Sequence, residues 1–550
     1  MTLTAHIDTF ARDRLPPREQ WPELLFELPE LQFPERLNCA AALLDRHVAE
    51  GRGARPCLRT PDGTVWSYAD LQERADRIAH VLVRDMGLVP GNRVLLRAPN
   101  MPMLVACWFA VMKAGGIAVA TMPLLRAREL GQIAQKAQVT HALCDARLAS
   151  ELEEAAAALP APLLRQRLFF GEGATGASSL ETAMARHDAP FDNVDTAAED
   201  VCMLAFTSGT TGVPKATMHF HRDVMAACAC FPPHVLRAGA DDVFTGSPPL
   251  AFTFGLGALV LFPLSIGASV LLLEKAAPTQ LVDAIAAGGA TVLFTAPTSY
   301  RAMAALAHER RISRAHGGTL RKCVSAGEVL PAATRAAWKE ATGIEIIDGI
   351  GSTELLHIFV SADEGHARPG ATGTAVPGYR ACVVDEALRP LPPGSIGRLA
   401  VKGPTGCRYL DDARQAQYVQ GGWNITGDAY LLDDDGYLHY QSRTDDMIVS
   451  AGYNIGAPEV EEALLQHPAV AECGVIGVPD ADRGQIVTAF VVLAAGHTPS
   501  DDLRRALQEH VKQAIAPYKY PRAIHFLERL PRTETGKLQR FQLRRMHGGA

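Results

Sequence analysis

Residues Thr207 to Lys215 read TSGTTGVPK and follow directly on an apolar strand, VCMLAF. Their hydroxyls, glycines and terminal lysine offer the N–H groups, O–H groups and positive charge that can surround a phosphate. The segment is not a G-x-x-x-x-G-K-[ST] loop, because Gly209 and Gly212 stand too close and Ala216 follows the lysine. Composition alone leaves a plain Gly/Ser turn as an equal reading. Farther along, Thr353 and Glu354 set a hydroxyl beside a carboxylate, hard oxygens suited to a divalent cation and to a phosphate oxygen. A single Glu is more often a solvated surface residue. Asp428 follows Thr-Gly in WNITGD, a carboxylate able to accept from two ribose hydroxyls, or simply a turn-forming Asp. Arg443 can donate to the same ribose or phosphate, or pair at the surface with Asp445 and Asp446. Lys537, between Gly536 and Leu538 in a polar stretch, is a solvated cation on residue type alone.

These residues need a scaffold, and the pattern around them alternates strand and helix. After some 40 irregular, proline-rich residues, read as an arm packed on the body, comes the amphipathic helix AALLDRHVAEG. Next is SYADLQERADRIAHVLVRDMG, with Ser67 as N-cap and Gly87 as its end. RVLLRAP, GIAVATMP, HALCD, TVLFTAP, TLRKCVSAG and EIIDGIG read as short apolar strands between helices. Continuous apolar strands alternating with helices predict parallel sheets covered on both faces. From about residue 380 short strands and turns predict a β-rich subdomain, and after Arg443 a compact α+β pattern begins. The expected class is α/β and multidomain. A body of residues 1–444 is followed by a small unit of residues 445–550, of ordinary small-domain size.

The chain has 550 residues, too many for one ordinary domain. Its composition, 48% hydrophobic and 21% charged, is globular. A net charge of −7 supplies no basic footprint for nucleic acid. Val243 to Leu273 carries no charge and is long enough to span a bilayer, but Pro248, Pro249 and Pro263 interrupt it, with Gly255, Gly257 and Gly267. It reads as a loop, a buried helix from Phe254 to Leu264, a turn and a buried strand. The 11 cysteines form no C-x-x-C pair, and the N-terminus lacks the basic and apolar runs of a secretory leader. Reduced thiols in a cytoplasm are the expectation, as a monomer or a homo-oligomer.

Five segments in order decide what the loop alone leaves open. TSGTTGVPK, GSTE (Gly351 to Glu354), WNITGD, SRTDDMIVSAGYNIGAPEVE and PRTETGK (Pro531 to Lys537) resemble the signatures of the AMP-forming acyl-CoA synthetase, adenylation-domain and luciferase superfamily. That resemblance implies that Thr207, Ser208, Gly209, Thr210, Thr211, Gly212 and Lys215 hold ATP phosphates. It implies that Thr353 touches the α-phosphate and Glu354 ligates Mg²⁺. It adds Gly327, Glu328 and Asp348 to the nucleotide site, with Asp428 and Arg443 at the ribose. Lys537 becomes the lysine bridging the acyl carboxylate and the α-phosphate, where a cation stabilises the pentavalent transition state. Asp445 matches the pivot between two half-reactions, and Ser450, Ala451, Gly452 and Tyr453 match a loop lining the pantetheine tunnel.

DGIGSTELLHIF and AFTFGLG are similar to the aryl branch, which implies an acid pocket of Thr253, Phe254, Gly351, His357 and Ile358. A core histidine on an apolar run is the plain reading of His357. Ile350 stands where many members of the superfamily have an aromatic ring, as it does in aryl ligases. Thr253-Phe254 replaces the Ala-Tyr usual in benzoate ligases, and the arm HIDTFARDRLPP looks like that of 2-aminobenzoate-CoA ligases. The implied activity is ATP- and Mg²⁺-dependent conversion of an aromatic acid, 2-aminobenzoate foremost, to its CoA thioester through an acyl-adenylate. Benzoate or another acid, a stand-alone adenylation enzyme serving a carrier protein, and a non-catalytic nucleotide-binding regulator are the alternatives.

Overall fold

The structure, a computed structural model, describes residues 3–207, 214–444, 446–450, 453–480, 483–532 and 538–547. Helices flank two large sheets. The first has six strands in the order Gln166–Phe170, His141–Asp145, Arg93–Arg97, Ile117–Thr121, Val201–Thr207 and Lys215–Phe220. All pairs are parallel except the last, an antiparallel hairpin whose tip carries the TSGTTGVPK segment. The second has nine strands and is parallel from Ile346–Gly351 through Lys322–Ala326, Val292–Thr295, Val243–Gly246 and Ser269–Leu271 to Pro56–Arg59. Antiparallel strands close both of its edges. Arg93–Arg97, His141–Asp145 and Lys322–Ala326 are buried at every position, which is why their apolar runs do not alternate.

A third, antiparallel sheet holds Arg380–Val384, Ile396–Lys402, Trp423–Leu432 and Leu438–Arg443. A fourth, of residues 448–526, pairs Val470–Asp480 with Gly484–Leu493 and packs the helices Ala457–Leu465 and Asp501–Ala514 on a core of its own. The chain is thus α/β with layered sheets, a β-rich part and an α+β C-terminal part.

Local chemistry sets the element ends. Ser67 caps the helix Tyr68–His80 with a reciprocal capping box: the Asp70 N–H donates to Ser67 Oγ at 3.1 Å and the Ser67 N–H to the Asp70 carboxylate at 2.8 Å. The uncharged stretch forms helical turns from Thr253 to Ser265 and then the strand Ser269–Leu271. A π turn at Gly257–Leu261 lies between the two α-helical parts, just ahead of Pro263, whose missing N–H breaks the i→i−4 ladder. Among the described residues no helix is long and apolar enough to cross a membrane. The N-terminal arm packs on the body: the Ala5 N–H donates to Asp200, Asp8 pairs with the buried Arg93, and Leu24 bridges Gly403.

Candidate active site

Of the residues expected at the nucleotide, Lys215 and Glu354 are brought together through Tyr409. Thr207 ends one strand of the six-stranded sheet and Lys215 begins the next. Segment 408–410 lies alongside that second strand, with the Met218 N–H donating to the Arg408 carbonyl and the Leu410 N–H to the Ala216 carbonyl, both at 2.8 Å. Tyr409 is thereby placed between two predicted site residues. Its hydroxyl donates to Glu354 Oε1, and Lys215 Nζ sits 3.4 Å from the same hydroxyl. Burial and the neighbouring Glu354 charge push the Tyr409 phenol far up, so it stays a neutral donor. Glu354 is buried, and its second oxygen has no protein partner among the described residues.

The turn that presents Thr353 and Glu354 is held from behind. His219 Nε2 donates to the Thr353 carbonyl at 2.8 Å, and His219 in turn stands 3.8 Å from Asp223. Asp223 pairs with Arg408, and the side chains of His219, Asp223 and Arg408 are wholly buried. Burial alone would raise the Asp223 carboxyl, but the Arg408 charge together with His219 and Arg222 outweighs it and holds the group below its usual range. Leu356 closes the turn at φ +72°, left-handed backbone that a bulky residue adopts at a cost of order 1–3 kcal/mol.

Asp428 and Arg443 face each other in register on adjacent strands, with Arg443 Nη1 3.1 Å from Asp428 Oδ1. Gly427 lies at φ +78°, and a Cβ there would meet the Arg443 guanidinium at 2.8 Å. Asp348 lies on Ile346–Gly351, where burial raises its carboxyl to about 7 against the opposing charge of Arg335. Gly327, at φ +92°, and Glu328 follow the neighbouring strand Lys322–Ala326.

Of the residues expected at the acid, Phe254, Gly351, His357 and Ile358 lie together. His357 Nε2 stands 3.3 Å from the Phe254 carbonyl, a Cβ on Gly351 would meet the His357 carbonyl at 2.7 Å, and Ile358 pairs with Gly351 across the sheet. Around the His357 ring stand Phe262, Phe254, Phe231 and Phe294, at centroid distances of 4.4, 5.5, 5.9 and 6.4 Å. Burial drives the imidazole down to about 3, so it is neutral at physiological pH. Thr253 is 7% exposed, and its hydroxyl has no hydrogen-bond partner among the described residues.

The sequence profile of the AMP-binding enzyme family matches residues 45–408, and that of the AMP-binding enzyme C-terminal domain matches residues 459–537. The chain belongs to the AMP-binding enzyme family. It is 34% identical to a benzoate–CoA ligase of Thauera aromatica over 529 residues, covering 94% of this chain and 97% of that one. It is 33% identical to a 4-hydroxybenzoate–CoA/benzoate–CoA ligase of Rhodopseudomonas palustris, covering 92% and 94%. The crystal structure of the anthranilate CoA ligase AuaEII in complex with anthranoyl-AMP matches with a TM-score of 0.87 at 34% identity, covering 94% of this chain and 99% of that one.

In this AMP-binding enzyme Ser208, Gly209, Thr210, Thr211, Gly212, Asp445, Ala451, Gly452 and Lys537 lie outside the described residues. Ser450 is buried at the end of the strand Ile448–Ser450, opposite Tyr453 in a hairpin. Sequence reasoning missed Tyr409 and the His219–Asp223–Arg408 group, which sit in no motif. It also missed Gly257, where a Cβ would meet His357 Cδ2 at 2.3 Å, although that glycine lies in the quoted AFTFGLG.

Proposed function

We propose that the acid activated by this AMP-forming acid–thiol ligase is an aromatic carboxylate, and that 2-aminobenzoate is preferred to benzoate. The observation that carries the reading is the ring-walled surround of neutral His357, together with the buried hydroxyl of Thr253, the residue before Phe254, which has no partner among the described residues. Aromatic walls suit a flat ring. A buried ortho-amino group left without an acceptor costs on the order of 1–3 kcal/mol, and Thr253 supplies the acceptor. The anthranilate and benzoate ligases among the similar proteins support the same class of acid.

In the first half-reaction the carboxylate oxygen attacks the α-phosphorus of ATP and pyrophosphate leaves. Thr353 donates its hydroxyl to an α-phosphate oxygen, Lys215 and the 207–212 segment hold the leaving phosphates, and Asp428 accepts from the ribose hydroxyls. Lys537 neutralises charge shared by the attacking carboxylate and the phosphate. Glu354 fits a divalent cation: it is a buried carboxylate with one oxygen held by Tyr409 and the other without a partner among the described residues. Glu354 would hold Mg²⁺, which when bound screens phosphate charge. In the second half-reaction the CoA sulfur attacks the acyl carbon, the acyl–phosphate bond breaks and AMP leaves. We assign residues 445–550 as a cap that pivots at Asp445 between the two steps. That position lies between Arg443, paired with Asp428 of the body, and Asp446, paired with Arg544 of the C-terminal helix.

The test is a comparison of kcat/KM for 2-aminobenzoate and benzoate, followed by AMP release. The ortho-amino acid should be the better substrate, and Thr253→Ala should cut its advantage about tenfold, the equivalent of ~1.4 kcal/mol, with benzoate little changed. A wild-type preference for benzoate refutes the ortho-amino reading and leaves the aryl-CoA ligase.

A further inference from the structure

A cluster of soft ligands lies outside this site. Cys39, Cys202 and His221 come from three distant chain segments, are completely buried or nearly so, and bring their ligand atoms within 4.8 Å of one another. Cys39 opens the first long helical segment, Cys202 lies on the strand Val201–Thr207, and His221 begins the helix His221–Phe231. Cys39 Sγ is 3.1 Å from His221 Nδ1. A tetrahedral zinc ion, with Zn–S near 2.3 Å and Zn–N near 2.0 Å, places its sulfur and nitrogen ligands about 3.6 Å apart and its sulfurs about 3.8 Å apart. The three atoms therefore need to shift by only about half an ångström to a full ångström to enclose the ion.

Two further observations point the same way. His6 of the N-terminal arm is brought toward this group through Asp200: the N–H of the preceding Ala5 donates to the Asp200 carboxylate at 2.9 Å, and the His221 N–H donates to the Asp200 carbonyl at 3.3 Å. His6 Nε2 and His221 Nε2 are both buried with no hydrogen-bond partner among the described residues. Second, a divalent ion held by two thiolates and neutral imidazoles has no net charge to desolvate.

We propose that Cys39, Cys202 and His221 form a binding site for a thiophilic divalent cation of the zinc class, with its fourth position toward His6. Binding breaks the S–H bonds of both cysteines and releases their protons. It also displaces the hydrogen bonds that Cys202 Sγ donates to the His219 carbonyl at 3.4 Å and that the Cys39 N–H donates to His221 Nδ1 at 3.1 Å. The ion ties the arm, the first long helical segment and the strand that ends at Thr207 into one unit. Because the site is closed, it loads as the chain folds.

The full chain is expressed in zinc-supplemented medium for metal analysis, and separately refolded with Co²⁺. The expected result is about one zinc per chain and, with cobalt, thiolate-to-metal charge-transfer bands in the near ultraviolet. Cys39→Ser and Cys202→Ser should each weaken metal binding at least about 100-fold. Cys230→Ser, which alters a thiol outside the cluster, should leave binding unchanged. A wild-type chain that folds without zinc and shows no thiolate–cobalt bands overturns the proposal, leaving a hydrogen-bonded trio only. Equal metal retention in the Cys39 and Cys202 variants overturns it as well. Wild-type metal content and spectrum decide the matter even where a serine variant does not fold.

Discussion

Gly257→Ala separates stability from activity at the acid pocket. The new Cβ would stand 2.3 Å from His357 Cδ2 and 2.8 Å from Nε2. Carbon atoms settle at about 3.5–4.0 Å, so the ring has to retreat by more than about 1 Å. It has little room, because Phe262 lies 4.4 Å away and Phe254 5.5 Å, centroid to centroid. Overpacking of this kind costs about 1–3 kcal/mol. Gly257 has helical backbone, φ −59° and ψ −53°, so alanine also recovers about 0.8–1.0 kcal/mol of helix propensity. Net destabilisation is then about 0–2 kcal/mol, while a displacement of about 1 Å in a substrate-positioning group can cost about 100-fold in rate. The expectation is a modest fall in Tm with kcat/KM for the aromatic acid down at least tenfold, about 1.4 kcal/mol, and KM for ATP unchanged. Adding His357→Ala should remove the steric cost, so that the two substitutions are non-additive in stability. Thermal melting and initial rates with acid and ATP varied separately give every quantity. If Gly257→Ala leaves acid kinetics and melting as they were, or harms ATP and acid alike, the packing argument is wrong.

Lys537→Ala should abolish acyl-adenylate formation yet leave thioester formation from supplied aryl-AMP, and Asp445→Pro, with φ fixed near −65°, should do the reverse. Equal loss of both half-reactions in either folded variant would remove its assigned role. Glu354→Gln should raise the Mg²⁺ concentration needed for half-maximal rate, since an amide is a poorer ligand for a hard cation; an unchanged Mg²⁺ dependence would take Glu354 out of the metal's reach. His357 titrates near 3 when folded and near 6.5 when unfolded, so the unfolded chain takes up more protons between those values and stability falls as pH drops below 6.5. At pH 5 the loss from this group is about 2 kcal/mol. Denaturant midpoints of the wild type and His357→Gln, compared at pH 7.5 and 5, should converge at the lower pH, and parallel behaviour would show that the imidazole is not desolvated.

Much of the fold is readable locally. Ser67 and Asp70 define a helix start because both halves of a capping box lie within four residues. Val243 to Leu273 resolves into helix and strand because Pro263 and Gly267 punctuate it. The family is readable for a related reason: its signatures are short strings of consecutive residues, such as TSGTTGVPK, and need no tertiary contact to be seen. The aromatic wall is not. Phe231, Phe254, Phe262 and Phe294 belong to separate turns and strands, and only the folded sheet brings them to one histidine. Tyr409 is invisible for the same reason, being placed against Glu354 by pairing with the strand Lys215–Phe220. Cys39, Cys202 and His221 lack the close spacing of a zinc finger, so a search for C-x-x-C passes over them.

The two ends of the site therefore answer differently to substitution. At the nucleotide end, charged and polar groups are backed by buried partners: His219, Asp223 and Arg408 stand behind Thr353, and Tyr409 holds Glu354. Removing one partner strands another in a water-poor interior, with a penalty of several kcal/mol for a charge. At the acid end the contacts are ring against ring, and Thr253 has no hydrogen-bond partner among the described residues to strand. On the proposed assignment, a change of volume or a single hydroxyl there costs about 1–3 kcal/mol and acts on the acid alone. Acid preference would then drift at Thr253 and Phe254 without disturbing ATP binding. That physical decoupling is why a shared nucleotide site says little about which aromatic acid is activated.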